Sequence, residues 1–500
     1  MRTQDEVVAT TAADSEPAEY KQYIGGAWVD AAAAATFEDV DPFTGHALAS
    51  IPASTREDAR RAVHVAQESF AEWSQTPPGR RQAIFLAAAD ILESRRDEVV
   101  RLLAQETGCT FTFGMFQMGF VPGLLRQAAA LAYSPIGEII PSDMPGAMAM
   151  GIRRPVGVVA AIAPWNAALI LSARAIAAPL VLGNTVVLKP SELSPIVGGL
   201  LWGEILGEAG LPRGVFNVIT HAAGQAAPIG DEFVENPSVR RINFTGSTAT
   251  GRKLAEAAGR NLKRVVLELG GHNPLIVLGD ANLDYAVDAA TFGAFLHQGQ
   301  ICMSARRIIV EESIADDFIA RLTAKVSGLK TGDPKERDTI IGPLITKDAL
   351  DTVAGRVKDA VAKGARILTG GETAGAAYRA TLLADVPPEA DLAKLETFGP
   401  VAALEVVASE DEAIDRANAT SYGLASGIIT SDPDRGLALA GRLEAGIVHI
   451  NDQPVHDEPQ MPFGGLKDSG WGRLGGTAAI DEFTELRWVT VQSGTRPFPF

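Results

Sequence analysis

The length, composition and charge of this chain restrict the classes of protein to which it can belong. Its 500 residues exceed what one hydrophobic core usually organises, so we expect two or more domains. The formal net charge of −17, from 44 Lys and Arg against 61 Asp and Glu, disfavours binding to nucleic acid or to an anionic membrane. With 2 cysteines and no metal-type His or Cys spacing, the chain is predicted to be a cytoplasmic protein without disulfides or a metal.

Neither the amino terminus nor the longest apolar tract predicts secretion or membrane insertion. Residues 1–19 mix acidic and small residues and lack the basic region and apolar core of a signal peptide, so we predict a disordered leader. The longest apolar tract, residues 167–183, contains Arg174 and Pro179, which argue against a membrane span. We therefore predict that this tract is a buried helix of a globular domain.

Helices are predicted ahead of the first sheet. Residues 56–70, 80–94 and 97–106 carry apolar side chains three and four positions apart, and each segment begins near Ser, Thr, Pro or Gly. Apolar helix faces must pack against another element of structure. We expect these helices to cover one face of a sheet.

From residue 157 onward, strand and helix patterns alternate. The predicted strands are 157–163, 185–188, 215–219 and 241–244, and helices follow near Leu169, near Pro195, after 219 and at 252–258. Parallel strands with helical crossovers form an open doubly wound sheet, which binds ligands beyond the carboxyl ends of its strands. The polar residues at such ends are Asn166, Lys189, Ser191, Glu192, Gly246 and Ser247. We assign residues 20–133 and 154–266 to one cofactor-binding domain.

A second alternating series predicts a second α/β domain over residues 267–470. Its strands are predicted at 306–310, 365–369, 401–406, 424–430 and 446–450, and its helices at 315–326, 349–363 and 435–443. Two strand-like segments fit neither series, namely 134–153 and 483–500. Isolated strands are marginal alone, so we expect these segments to pair across a subunit interface.

Cys302 is the main candidate for chemistry. It lies in a Gly- and Gln-rich loop between a predicted helix at 284–297 and the strand at 306–310, so it can be partly exposed. A thiolate in such a place can act as a nucleophile. The alternative is a small buried apolar residue, as we expect for Cys109, which is flanked by phenylalanines.

Two polar residues are candidates to assist a cysteine nucleophile. Glu268 is the one carboxylate in the apolar strand predicted at 265–269, where it could deprotonate water; the alternative is an exposed glutamate at a strand end. Asn166 could cap a helix, but the next helix is predicted from Leu169, which leaves its NH₂ group available to an oxyanion. A thiol, a base and an oxyanion donor are what two-step aldehyde oxidation requires.

The cofactor prediction depends on two strand ends. Gly246 and Ser247 lie between a strand and a helix, where phosphate can bind; their spacing alone is weak, and a plain strand–turn–helix corner is the alternative. Lys189, Ser191 and Glu192 supply a cation and an anion suited to ribose hydroxyls, with solvated surface charge as the alternative. Because Glu192 would repel a 2′-phosphate, we predict NAD, with NADP as the second choice.

These residues lie in motifs that the chain shares with a known family. Segments 267–271 (LELGG) and 299–302 (GQIC) resemble the glutamate and cysteine signatures of the aldehyde dehydrogenase superfamily, and the resemblance runs from residue 23 to residue 492. Further matching motifs are 164–166 (PWN), 189–192 (KPSE), 244–247 (FTGS), 396–400 (ETFGP) and 462–465 (PFGG). The resemblance implies an aldehyde dehydrogenase-like α/β fold, with two doubly wound domains and a small β oligomerisation arm, in a homodimer or homotetramer.

The resemblance also implies a role for each residue. Cys302 would be the nucleophile, Glu268 the general base, and Asn166 with the Cys302 backbone N–H the oxyanion hole. The implied cofactor residues are Trp165, Lys189, Ser191, Glu192, Gly246, Ser247, Glu396 and Phe398. The implied reaction is NAD(P)-dependent oxidation of an aldehyde to an acid, through a thiohemiacetal and a thioester that water hydrolyses.

The substrate prediction starts from the helix after Asn166. Ile170 and Arg174 follow Asn166 by four and eight residues and so share its face, where Arg174 could bind a carboxylate or a phenolic oxygen. The alternative is an arginine that ties the helix to a neighbouring loop. We add Leu296 and Val455 as substrate-lining candidates.

Two segments favour an aromatic substrate. Residues 297–304 and 451–465 resemble those of benzaldehyde, vanillin and salicylaldehyde dehydrogenases, and Ala167 stands where many relatives have Phe, which leaves width for a ring. A succinate semialdehyde or aliphatic aldehyde is the alternative substrate. Two other functions stay open: a cysteine hydrolase with His297 or His456 as base, and a catalytically silent binding protein on the same fold.

Overall fold

The structure, a computed structural model, describes residues 17–500 of the chain. Residues 1–16 of the predicted leader lie outside the described residues. The prediction is wrong for the end of that leader, because Ala18–Glu19 forms a short strand that pairs in parallel with Ala49 and Ser50. None of the helices within residues 17–500 is long and apolar enough to cross a bilayer.

The described residues form strands β1–β25 and helices α1–α15. Up to residue 155 these are β1 (Ala18–Glu19), β2 (Gln22–Ile24), β3 (Ala27–Val29), β4 (Thr36–Val40), β5 (Ala47–Pro52), α1 (Arg56–Gln75), α2 (Pro78–Ser94), α3 (Arg96–Thr107), α4 (Phe111–Ala130), β6 (Gly137–Ile140) and β7 (Ala147–Pro155). From residue 156 to 268 they are β8 (Val158–Ile162), α5 (Ala168–Val181), β9 (Thr185–Lys189), α6 (Leu201–Glu208), β10 (Phe216–Val218), α7 (Ala226–Glu235), β11 (Val239–Thr245), α8 (Thr248–Arg260) and β12 (Arg264–Glu268).

After residue 268, strands and helices continue to alternate. Its elements are β13 (Asn273–Val277), α9 (Leu283–Phe295), β14 (Ala305–Glu311), α10 (Glu312–Ser327), α11 (Lys347–Ala362), β15 (Arg366–Thr369), β16 (Thr373–Ala374), β17 (Ala377–Tyr378), β18 (Thr381–Ala384), α12 (Asp391–Lys394), β19 (Val401–Val407), α13 (Glu410–Asn418), β20 (Tyr422–Gly423), β21 (Ala425–Ile429), α14 (Pro433–Ala440), β22 (Ile447–Ile450), β23 (Leu466–Lys467), β24 (Gly470–Trp471), α15 (Ala478–Phe483) and β25 (Thr484–Gln492).

The first large sheet contains the strands predicted between residues 157 and 244. It has eight strands in the order β24-β12-β11-β8-β9-β10-β2-β3. The run from β12 to β10 is parallel, as predicted for crossover connections. The outer strands β24 at one end and β2 and β3 at the other, which the sequence does not predict, pair antiparallel. Strand β24 places Gly470 opposite Glu268, so a late segment of the chain flanks the carboxylate.

The first helices lie on both faces of this sheet, so the prediction that they cover one face is wrong. Ala62 of α1 clusters with Val158 of β8, whereas Phe85 of α2 clusters with Val159 of the same strand. Successive side chains of a strand point to opposite faces, so these clusters lie on opposite sides. A parallel sheet is buried on both faces and needs helices on each.

The sequence analysis missed helix α4, which borders the site. Its residues are apolar on nearly every side, and Pro122 lies inside the helix. A helix without a polar stripe has no clear 3.6-residue period, which is why the pattern did not identify it. The helix carries Phe113, whose ring stacks on His297 with 4.6 Å between centroids.

The second large sheet contains the strands of the second predicted series. It has seven strands in the order β15-β18-β19-β14-β13-β21-β22, and all its pairings are parallel except that of β15. The chain passes from one sheet to the other between Glu268, which ends β12, and Asn273, which begins β13. Glu268 therefore lies at the junction of the two sheets.

The two unplaced segments pair with each other in the same chain. Strands β25, β7 and β6 form a separate three-stranded antiparallel sheet in which Trp488 lies opposite Gly151. Many of its large apolar side chains are exposed, with Trp488 81% and Ile139 73% accessible. Pairing across a subunit interface remains a prediction.

Candidate active site

One cavity of about 280 Å³ gathers most of the predicted site residues. It is lined by Pro164, Trp165, Asn166, Leu171, Thr245, Gly246, Ser247, Glu268, Leu269, Gly270, Cys302, Glu396 and Phe398. All the predicted catalytic residues are among them. The predicted cofactor residues outside this lining are Lys189, Ser191 and Glu192.

A left-handed turn presents Cys302 to the cavity. Helix α9 ends at Phe295, two residues earlier than predicted, and His297 and Gln298 then adopt φ angles of 50° and 54°. Such angles are costly for residues that carry a Cβ. The Gln298 side chain stabilises the turn, because its Nε2 donates to two backbone carbonyl oxygens, each at 3.0 Å. The strained turn holds the loop before the thiol in one position.

The Cys302 thiol is free and half-buried. Burial raises the pKa of this thiol, and the carboxyl groups of Glu396 and Glu268 raise it further. A cysteine nucleophile needs the opposite change, because only the thiolate attacks. Reaction therefore requires a base close to Cys302 or positive charge from a bound ligand.

Glu268 is a buried carboxyl group without a partner. Its side chain is 3% exposed, and neither of its oxygens has a hydrogen-bond partner among the described residues. Burial raises the pKa of Glu268 well above its usual range, and the positive charges of Arg174 and Arg473 oppose this rise. An unpartnered carboxyl group with a raised pKa can accept a proton from a group that enters the cavity.

Asn166 connects the first sheet to the loop that carries Cys302. Its Nδ2 donates to the backbone carbonyl oxygen of Gln300 at 2.9 Å. One N–H of this NH₂ group is therefore used within the chain, and one remains for the predicted role as oxyanion donor. Helix α5 begins at Ala168 with no side-chain cap, so Asn166 does not serve as a helix cap.

The other side of the cavity can accept a dinucleotide. Ser247 lines the cavity and caps α8, with its Oγ accepting from the backbone N–H of Thr250 at 3.3 Å. The amino terminus of α8 therefore lies at the cavity wall. Glu396 accepts from the Gly271 N–H at 3.1 Å, and burial raises the pKa of Glu396 to about 7. The rings of Trp165 and Phe398 meet edge to face, with 5.6 Å between their centroids.

The donor set and the glycines of this wall fit a nicotinamide dinucleotide. A Cβ on Gly270 would lie 2.4 Å from the Glu396 Oε2, and one on Gly246 would lie 2.6 Å from the Phe244 ring. A Cβ at either position would force the neighbouring side chain to move, so glycine allows the backbone to pack closely against Glu396 and Phe244. The N–H groups of a helix amino terminus suit phosphate, and the carboxylate suits ribose hydroxyls.

Lys189, Ser191 and Glu192 lie at the carboxyl end of β9 and form a separate cluster. The Lys189 Nζ lies 2.6 Å from the Nε2 of His221, and the Glu192 Oε2 lies 3.7 Å from the same ring nitrogen. The sequence analysis missed His221. His221 follows the strand predicted at 215–219 by two residues, and a polar residue just beyond a strand end is the signal that could have identified it.

The predicted substrate residues line the neighbouring apolar core instead of this cavity. Ile170 and Val455 belong to the apolar cluster against which Leu296 and Cys302 pack. Leu171, which the sequence analysis did not name, is the residue of α5 that lines the cavity after Asn166. The helix therefore presents an aliphatic wall next to the thiol.

Arg174 ties α5 to a distant loop. Its Nη2 lies 2.5 Å from the Asp457 Oδ2, and its guanidinium lies 4.6 Å from the centre of the Phe463 ring. The side chain is 3% exposed. Arg174 thus has a carboxylate partner within the chain, which is the alternative that the sequence left open.

The histidines proposed as a base for a cysteine hydrolase do not assist the thiol. Neither ring nitrogen of His297 has a hydrogen-bond partner among residues 17–500, and burial lowers the pKa of His297 to about 3. The ring of His456 is held by Asp452 at 2.6 Å and Glu458 at 3.3 Å. Neither histidine is placed as the base of a Cys–His pair.

Known proteins similar to this chain are aldehyde dehydrogenases. The model of the aldehyde dehydrogenase family matches residues 28–489. Vanillin dehydrogenase of Pseudomonas fluorescens is 48% identical over 95% of this chain and 98% of its own length. A benzaldehyde dehydrogenase of Pseudomonas putida, named for NAD(+), is 41% identical over 97% of this chain and 99% of its own.

A solved structure also matches over nearly the whole chain. It is a salicylaldehyde dehydrogenase from Pseudomonas putida G7 complexed with salicylaldehyde. The two structures superpose with a TM-score of 0.94 at 42% sequence identity, over 97% of this chain and 100% of that one.

Proposed function

The chain belongs to the aldehyde dehydrogenase family, and we propose that it oxidises an aromatic aldehyde to the carboxylic acid with NAD. The observation that carries this proposal is the single cavity in which Cys302, Glu268 and Asn166 meet a wall suited to a dinucleotide. The vanillin, benzaldehyde and salicylaldehyde dehydrogenases similar to this chain support the aromatic substrate class.

The first step is addition of the Cys302 sulfur to the aldehyde carbon. The thiol must lose its proton first, and either the positive charge of the bound cofactor or the Glu268 carboxylate in the same cavity would assist that loss. The remaining N–H of Asn166 and the backbone N–H of Cys302 would donate to the oxyanion of the thiohemiacetal. Such donors usually contribute a few kcal/mol to lowering the barrier.

The cavity wall suited to a dinucleotide would bind the cofactor that oxidises the thiohemiacetal. When bound, NAD would supply the acceptor for the hydrogen that leaves the thiohemiacetal carbon together with both electrons of its C–H bond. We assign the pyrophosphate to Gly246 and Ser247 at α8, the nicotinamide ribose to Glu396, and the space beside Trp165 and Phe398 to the nicotinamide. We assign the adenosine ribose to Lys189, Ser191 and Glu192.

The last step releases the acid from the thioester on Cys302. Glu268 would take a proton from water as that water attacks the acyl carbon. Its unpartnered oxygens and raised pKa support this role. A carboxyl group in water would be a weaker base at neutral pH.

The pairing of Arg174 supports a neutral aromatic substrate over a semialdehyde acid. A succinate semialdehyde carboxylate would need a cation, but Arg174 is buried against Asp457. Leu171, which lines the cavity, offers apolar contact surface to a ring instead. An aliphatic or succinate semialdehyde dehydrogenase is the alternative, and a silent binding protein is the alternative from another class.

The test is a panel of aldehydes with each cofactor. NADH or NADPH formation is followed at 340 nm with benzaldehyde, vanillin, salicylaldehyde, succinate semialdehyde and an aliphatic aldehyde. We expect the highest kcat/KM with an aromatic aldehyde and NAD, because Glu192 repels a 2′-phosphate. A higher kcat/KM for succinate semialdehyde would overturn the aromatic assignment, and no turnover with any aldehyde would favour the silent protein.

We propose that the protein is a cytoplasmic homodimer or homotetramer joined through its three-stranded sheet. The exposed apolar side chains Ile139, Leu486 and Trp488 on that sheet support this assembly. The free state of Cys109 and Cys302 suits a reducing compartment, and the net charge of −17 disfavours nucleic acid or anionic membrane as a partner. Sedimentation of the wild type and of Trp488→Glu tests the assembly, and a monomeric wild type would contradict it.

A further inference from the structure

Lys189, His221 and Glu192 form a buried cluster at the ends of two neighbouring parallel strands. Strands β9 and β10 pair with Leu188 opposite Val218, so Lys189, the last residue of β9, and His221, which follows β10, both lie at the carboxyl end of this pair. Lys189 is 6% exposed and His221 is 1% exposed. Open α/β sheets bind ligands beyond such ends. The proposed chemistry assigns Lys189 and Glu192 to the adenosine ribose but leaves His221 without a role.

The surroundings of His221 determine which of its nitrogens carries the hydrogen. The Nδ1 lies 3.0 Å from the carbonyl oxygen of Ala222, which can only accept, so Nδ1 must be the donor. In the neutral ring the Nε2 is then a lone-pair acceptor. Burial and the charge of Lys189 lower the pKa of His221 to about 4, so the ring is neutral at pH 7.

This tautomer makes His221 the acceptor for the Lys189 ammonium. The Nζ of Lys189 donates to the His221 Nε2 at 2.6 Å and to the Pro190 carbonyl oxygen at 3.4 Å. An ammonium has a third N–H, which these contacts do not use. Lys189 is thereby held with one donor available beside the carboxylate of Glu192, whose Oε2 accepts from the Ser191 hydroxyl at 3.2 Å.

One donor and one carboxylate side by side match two adjacent hydroxyl groups. One hydroxyl can accept from Lys189 while the other donates to Glu192. A 2′-phosphate would need several donors and would face the charge of Glu192. The neutral His221 directs no N–H toward the space between Lys189 and Glu192, so it provides no hydrogen-bond donor for a phosphate there.

We infer that His221 is a positioning residue for the cofactor: as a neutral acceptor it orients the Lys189 ammonium beside Glu192, and it thereby favours a ribose with a free 2′-hydroxyl. The inference rests on the proposed use of NAD. The residue acts through Lys189 and does not itself carry out a chemical step.

Direct binding of NAD and NADP, measured by calorimetry without aldehyde, tests this role. We expect His221→Ala to weaken NAD binding about tenfold, the usual effect of losing a hydrogen bond to a charged group, and to affect NADP binding less. The value of kcat at saturating NAD should stay close to that of the wild type. His221→Gln places an amide oxygen near the Nε2 position and should restore most of the affinity. His64→Ala, on the exposed face of α1, is the matched control and should bind as the wild type does.

Several outcomes would overturn the inference. NAD binding by His221→Ala within about twofold of the wild type would remove His221 from this role, because losing a useful hydrogen bond costs more. Failure of His221→Gln to rescue binding would show that shape, and not the acceptor, matters. If the wild type binds no NAD, both the proposed function and this inference fail, whereas an unchanged His221→Ala affinity ends only the inference.

A measurement on the wild type covers the case in which His221→Ala does not fold. In protein labelled with ¹⁵N-histidine, the His221 signal is assigned by its loss in His221→Gln. At pH 7 we expect the neutral tautomer with the hydrogen on Nδ1 and a shift of the Nε2 resonance when NAD is added. A charged ring, a hydrogen on Nε2, or no response to NAD would contradict the inference.

Discussion

The Nδ2 of Asn166 donates to the carbonyl oxygen of Gln300 at 2.9 Å, and this bond joins the turn after β8 to the loop that carries Cys302. The two residues are 134 positions apart in the chain. The bond fixes the plane of the amide, so the second N–H of Asn166 has a defined direction. The oxyanion donor and the nucleophile are therefore positioned by one contact.

Replacing Asn166 should slow acylation more than any later step. Asn166→Ala removes the donor and should lower the rate of the NADH burst about 10²-fold to 10³-fold. Asn166→Asp should be no faster, because a carboxylate has no N–H to donate. Rapid mixing with aldehyde and NAD measures the burst, and Asn261→Ala at the exposed end of α8 is the control. A burst of wild-type rate in Asn166→Ala would contradict the oxyanion assignment.

Removing the Cys302 sulfur should abolish oxidation but not cofactor binding. We expect Cys302→Ala to form no NADH, since no thiohemiacetal can form, while calorimetry still detects NAD binding. Cys109→Ala is the matched control, because Cys109 is a buried free thiol with no assigned chemistry. Normal turnover by Cys302→Ala would eliminate covalent catalysis at this residue.

Glu268→Gln should stall the enzyme after one turnover. Without a base, water attacks the thioester slowly, so steady-state turnover should fall about 10²-fold or more, after an initial burst of NADH. Because burial raises the pKa of Glu268, its carboxylate form and the steady-state rate should both decline as the pH falls through that raised pKa. The same decline should be absent from Glu268→Gln. Identical pH profiles for the two proteins would exclude Glu268 as the base.

Breaking the Arg174–Asp457 pair should lower the free energy of unfolding. Both side chains are buried, at 3% and 12% exposure, so Arg174→Met leaves an uncompensated carboxylate and should lower the free energy of unfolding by about 3 kcal/mol. The double variant Arg174→Met/Asp457→Leu should recover most of that loss. Lys347→Met breaks an exposed pair with Asp351 and should cost less than about 1 kcal/mol. Urea unfolding measures all of them, and a double variant no more stable than the single one would contradict the pairing argument.

The buried carboxyl groups of Asp39 and Glu106 should make the protein less stable at neutral pH than at acid pH. Burial raises the pKa of Asp39 from 3.8 to about 7, and burial with the charge of Asp39 raises the pKa of Glu106 as well. The folded state then binds protons more tightly than the unfolded state, so the free energy of unfolding falls as the pH rises from about 4 to 7 and stays lower above that.

Asp39→Asn should remove much of this pH dependence. We expect its Tm to exceed that of the wild type by roughly 2–4 °C at pH 8, and the gap to narrow at pH 5, where Asp39 is already protonated. Thermal melts at pH 5 to 8 measure the difference. Asp30→Asn, at an exposed carboxylate, should show no such trend, and a gap that widens toward pH 5 would refute the argument.

Elements with a local apolar period are predictable from this sequence, whereas contacts between distant residues are not. The strands and helices from residue 157 to 258 were predictable because their apolar periods are local. Helix α4 was not, since Pro122 and apolar residues on nearly every side hide its period. The role of Arg174 was left open because its partner Asp457 lies 283 residues away, and spacing along one helix carries no information about such a contact.

The sequence by itself determined the alternating architecture, the strand ends that carry polar groups, and the motifs around Glu268 and Cys302 that indicate the family. Only the tertiary structure decided which of these groups share a cavity, which N–H of Asn166 remains available, and that His221 contacts Lys189. The physical reason is that composition and period act over a few residues, whereas burial, pKa and hydrogen-bond partners depend on groups that the fold brings together from distant parts of the chain.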